Sequence, residues 1–65
     1  MSDDTIMLTP RHHGKVGVYF CSVTREGIIA VAGEQRNIAD GEEILFDRAG
    51  IKVSRDASEY MFSRI

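Results

Sequence analysis

Apolar and polar positions alternate in short runs along this chain. Val16, Val18 and Phe20 fall on one side of an extended segment and Gly17, Tyr19 and Cys21 on the other, as a period of two requires. Ile44 with Phe46, and Ile51 with Val53, repeat the pattern further on. Between the runs stand turn sequences. Thr24-Arg25-Glu26-Gly27 and Asp47-Arg48-Ala49-Gly50 each place glycine fourth, and Asp40-Gly41 is the strongest turn dipeptide of the stretch 37–41. This spacing predicts strands over 16–23, 27–33, 42–47, 50–54 and 58–63. Many short strands with frequent turns predict an all-β chain, a small and partly open β-barrel or sandwich.

A helical reading stays open for two segments. Asp40 with Glu43, and Asp56 with Glu59, both have the capping-box spacing. The stretch 41–49 closed by Gly50 fits a short helix with a glycine cap, and 57–64 fits a short C-terminal helix. Against the first, the segment is under three turns and Asp-Arg-Ala-Gly suits a hairpin equally well.

Sixty-five residues make one domain, 1–65, and one with a small core. Scaffolds of this size usually add disulfides, a metal or self-association. Cys21 is alone, and His12-His13 has no thiol pair nearby, so association into a homo-oligomer is the expected source of extra stability. The balance of 43% hydrophobic and 28% charged residues is that of a folded chain, and a net charge of −2 gives no electrostatic reason to expect nucleic acid. No apolar run reaches membrane-spanning length, and Met1-Ser2-Asp3-Asp4 is acidic where a secretory signal is basic. With its single cysteine, the chain is expected in the cytoplasm.

Candidate chemistry is sparse. Arg11-His12-His13 with Lys15 is the densest polar group, but neighbouring histidines on an extended segment point opposite ways and chelate one ion poorly. Cys21 sits within an apolar run, where free cysteine packs as a small hydrophobe. Glu42 and Glu43 would face opposite sides of a strand, a poor acid–base pair. No phosphate loop, zinc signature or triad order occurs. The expectation is therefore a non-enzymatic binding protein with no cofactor and no metal.

Two apolar groups are candidates for partner contact. Ile6-Met7-Leu8 lies between acidic residues and Pro10, outside the strand pattern, which suits a flexible N-terminal docking segment over 1–13 and equally a core-packed strand over 5–9. Ile28, Ile29 and Val31 make a second group that needs a cover, as an interface would provide.

Thr5-Ile6-Met7-Leu8-Thr9-Pro10 followed by Gly14-Lys15-Val16 resembles the mobile loop and next strand of the GroES-type co-chaperonins. Ala39-Asp40-Gly41-Glu42-Glu43-Ile44-Leu45-Phe46 and Ala49-Gly50-Ile51-Lys52-Val53 are similar to two later stretches of that family, and Asp56, Glu59, Tyr60 and Arg64 fall in step with them. The resemblance implies a GroES-like barrel, with an SH3-like barrel as the other small form. It also implies docking on a chaperonin-like partner through Ile6, Met7 and Leu8. The family's terminal strands have no counterpart here, which puts its ring assembly in doubt. The alternatives are a small phage- or plasmid-type regulatory protein that caps a host protein, and a small barrel that binds nucleic acid or a nucleotide.

Overall fold

A computed structural model of the chain describes residues 5–65. Among these residues there are eight strands and no helix: β1 (Thr5–Leu8), β2 (His13–Val16), β3 (Tyr19–Val23), β4 (Ile28–Val31), β5 (Glu34–Asn37), β6 (Glu43–Phe46), β7 (Ile51–Asp56) and β8 (Glu59–Arg64). No helix among them is long and apolar enough to cross a membrane. The strands form two antiparallel sheets, ordered β1-β8-β7-β6 and β2-β3-β4-β5.

The turns follow from a few residues that tolerate positive φ. Gly17 (φ 61) opens the two-residue loop Gly17-Val18 between β2 and β3, the place where a type II′ turn needs glycine. Ala32 (φ 53) and Gly33 (φ 86) join β4 to β5 as a type I′ turn, with alanine held in a left-handed conformation it disfavours. Thr24–Gly27, Ala39–Glu42 and Asp47–Gly50 each close with a backbone hydrogen bond of 2.9–3.3 Å across the turn.

Alternate residues of both sheets meet in a core. Val16, Cys21, Val23, Ile29 and Val31 come from one sheet, and Leu8, Phe46, Ile51, Val53, Tyr60 and Phe62 from the other, with Ile38 between them. Full burial of each larger side chain is worth about 1.5–3 kcal/mol. The sheets approach closely at the β1–β2 corner. There a Cβ on Gly14 would stand 3.1 Å from Ile6 Cδ1 and 3.6 Å from Leu8 Cδ2. A larger residue at this position would require the end of the Ile6 side chain to shift by a few tenths of an ångström.

Several expectations are corrected. Both helical readings fail: 43–46 and 51–56 pair as a hairpin, and 59–64 pairs with both β7 and β1. Asp40-Glu43 is no capping box; the Glu42 carboxylate accepts from the Ala39 N–H at 2.7 Å, inside a turn. The single strand expected over 16–23 is two strands around Gly17-Val18, so Val18 sits at the turn, 83% exposed, and Phe20 points outward. β1, β5 and most of β2 lie outside the expected strands.

The flexible docking segment expected over 1–13 is, from residue 5 onward, a paired strand, a turn and the start of β2; residues 1–4 of it lie outside the described residues. The reason is register: Thr5-Ile6-Met7-Leu8 itself alternates, so pairing with β8 carries Ile6 and Leu8 to the core side. Ile29 and Val31 likewise need no external cover, since both are buried in the core.

Candidate binding cleft

Each sheet ends on one side in a strand with a single partner, β5 in one and β6 in the other. Between these two edges lies an open cleft of about 630 Å³. That volume is within the range of small ligand and peptide pockets. Three loops converge on it: Tyr19 follows the β2–β3 turn, Ala32-Gly33 is the β4–β5 turn, and Asp47-Arg48-Ala49 belongs to the β6–β7 loop. Val31 and Phe46 line its apolar side, Tyr19 and Leu45 add further surface, and Glu34, Arg36, Asp47 and Arg48 supply both signs of charge.

The two edges differ in chemistry. In β5, Glu34 and Arg36 stand opposite the inward-facing Val31 and Ile29 of β4, so its inner face carries charge where the other strands carry hydrophobes. Their side chains pair at 2.9 Å, and the Arg36 guanidinium lies 5.9 Å from the centre of the Phe46 ring. The pair is about half exposed, which makes it a weak contribution to stability.

β6 is apolar. Ile44-Leu45-Phe46 are three hydrophobes in succession, and a strand can turn only alternate ones inward. Phe46 is buried, Ile44 packs against the core, and Leu45 is left 53% exposed. Gly50 N–H donates to the Phe46 carbonyl at 2.8 Å, so the backbone groups of Phe46 face β7 and those of Leu45 face the open edge.

The residues singled out from sequence do not gather in one place. Val31 alone of them lines the cleft, as a buried residue of its wall. Ile28 is half-buried and Ile29 buried on β4; Ile6 is half-buried, Leu8 buried, and Met7, 52% exposed, stands beside Met61 on the outer face of its sheet. Tyr19, Arg36 and Arg48, which the sequence offers only as scattered nucleic-acid contacts, come together here, and Leu45 was missed. The signal for Leu45 was present, because Ile44 and Phe46 sharing a face forces the residue between them outward.

Arg11, His12 and His13 lie apart from the cleft; His12 Nδ1 is 2.8 Å from the Thr9 hydroxyl, and the His13 ring stands 5.3 Å from Phe20. Burial pushes the Cys21 thiol above its ordinary value, with a backbone hydrogen bond at Val16 opposing it to a lesser extent. At neutral pH this sulfur is a thiol and not a nucleophilic thiolate. No family model, curated protein or solved structure matches the chain.

Proposed function

We propose that the protein is a non-enzymatic binding module that takes an extended, apolar-anchored segment of a protein partner along the β6 edge and into the cleft. The observation that supports this most directly is Leu45, half exposed on a strand that pairs with β7 on one side only, with Phe46 beside it on the cleft wall. An added strand would pair with the outward backbone groups of Leu45 and Glu43, and set alternate side chains against Phe46, Val31 and Tyr19. The mixed charges at the rim suit a segment flanked by polar residues.

On this reading the contact surface is the cleft, because most of the Ile6-Met7-Leu8 surface is committed to β8 and the core. The co-chaperonin resemblance contributes a partner class: a chaperonin-type assembly is one source of such a segment, and a host protein capped by a small regulator is another. A photo-crosslinking side chain placed at position 45 tests the reading. It is expected to capture one extended apolar peptide, identified by mass spectrometry, while binding slows hydrogen exchange of the Leu45 and Glu43 amides. Crosslinks scattered over unrelated peptides, with exchange at β6 unchanged, would overturn it.

A further inference from the structure

We propose that β5 is a self-recognition strand, through which two copies of this chain join antiparallel about a two-fold axis at Gln35. Backbone geometry comes first. The two-residue loop Ala32-Gly33 makes Val31 and Glu34 the hydrogen-bonded pair that closes the β4–β5 hairpin. Alternation then turns the N–H and C=O of Arg36 toward β4 as well, and those of Gln35 and Asn37 toward the free edge. A two-fold axis through Gln35 therefore lets the two Gln35 residues exchange both of their backbone hydrogen bonds.

Charge selects the same register. A two-fold axis perpendicular to the sheet keeps inner face with inner face, so residues meet in pairs of equal parity. Centred on Gln35, each Glu34 stands opposite the other copy's Arg36, twice over. Centred on Arg36, the two guanidinium groups would oppose each other. Opposite charges across antiparallel strands attract and like charges repel, so only the first register is favoured. The intrachain Glu34–Arg36 pair is half exposed, so exchanging it for the intermolecular one costs little.

This inference does not rest on the cleft reading. The second copy's β5 would run across the mouth of the cleft, so self-pairing and partner binding would exclude each other. The competing account is that Glu34 and Arg36 guard the edge against any pairing, as inward-facing charges on edge strands do.

Sedimentation equilibrium on the full chain decides between them. The wild-type mass is expected to rise from 7.3 kDa toward twice that value as concentration approaches about 1 mM, the affinity range of a small contact. Arg36→Glu is expected to weaken association at least about tenfold, and the double variant Glu34→Arg/Arg36→Glu to restore it, a recovery that a folding defect would not produce. Gln35→Pro removes an edge-facing N–H that β4 does not use, and is expected to give a monomer that melts cooperatively. A wild-type chain that stays monomeric throughout overturns the proposal in favour of the guarded edge. A dimer that persists in both Gln35→Pro and Arg36→Glu overturns it in favour of another surface. Capture of a partner peptide by monomeric Gln35→Pro tests the cleft separately.

Discussion

Arg55 Nη1 donates a 2.8 Å hydrogen bond to the carbonyl of Ile38, tying β7 to the segment that crosses from one sheet to the other. The same guanidinium spans further. Its Nε donates to the Ala57 carbonyl at 2.8 Å, and it lies 5.3 Å from the centre of the buried Tyr60 ring. Asp40 accepts from the Ala57 N–H at 2.8 Å, so the crossing segment and the β7–β8 turn are held together from both sides.

Arg55→Met should therefore cost about 2–3 kcal/mol, since it leaves a part-buried carbonyl without its charged donor and removes the stacking on Tyr60. For a domain of this size that is roughly a 10–20 °C fall in melting temperature. Arg55→Lys should recover less than half of the loss, because an ammonium does not reproduce the planar fork. Urea or thermal melts of the two variants check both statements.

The tripeptide of β1 separates by face. Leu8→Ser should cost about 2–4 kcal/mol, because a buried side chain of β1 is lost from the core. Met7→Ser should stay within about 0.5 kcal/mol, as Met7 stands on the outer face. Denaturation midpoints of the two single variants give the comparison, and equal effects would contradict the register of β1 against β8.

Ala32 gives a prediction of opposite sign. Its φ of 53 is a conformation that asparagine adopts more readily, at the first central position of a type I′ turn. Ala32→Asn should raise stability by about 0.5–1 kcal/mol, and Ala32→Val should lower it by more than 1 kcal/mol. Thermal melts that moved the other way would show that the turn is of a different type.

Cys21 sets a pH dependence. Its folded-state value lies above the ordinary thiol value of 9.0 because of burial, so the folded state holds this proton more tightly than the unfolded chain. The stability that this contributes is fully present below about pH 9 and falls as pH rises through the folded value. Urea midpoints should be flat from this source at neutral pH and decline in alkaline buffer, a decline that Cys21→Ala should reduce. A thiol-specific reagent at pH 8 should react at the rate of unfolding and not at the rate of a free thiol.

Much of the second half of the chain was legible. β6, β7 and β8 follow from alternation between glycine-bearing turns, and Ile51 and Val53 sit in the core as their spacing predicts. β5 was not legible, because Glu34-Gln35-Arg36-Asn37 has no apolar position to mark a face. It needs none, since its inner side borders the open cleft. The β2–β3 turn was hidden for the opposite reason: Val16-Gly17-Val18-Tyr19 alternates through the turn as a strand would. β1 was open between strand and docking segment because four residues alternate too briefly to decide, and its partner β8 is distant in sequence. The cleft shares these causes, being built from β5, from loop residues and from the one hydrophobe of β6 that faces out.

That last pairing bears on how the chain is made. Every other ladder joins strands adjacent in sequence and forms as a local hairpin, whereas Leu8 must find Tyr60 across roughly fifty intervening residues, a closure whose entropy grows with length. On the ribosome β1 emerges before its ladder partner β8, which follows every other described strand. Ile6 and Leu8 thus wait without their β8 partners through the synthesis of the strands between. The sheet order β1-β8-β7-β6 is complete only when β8 arrives to join β1 to β7.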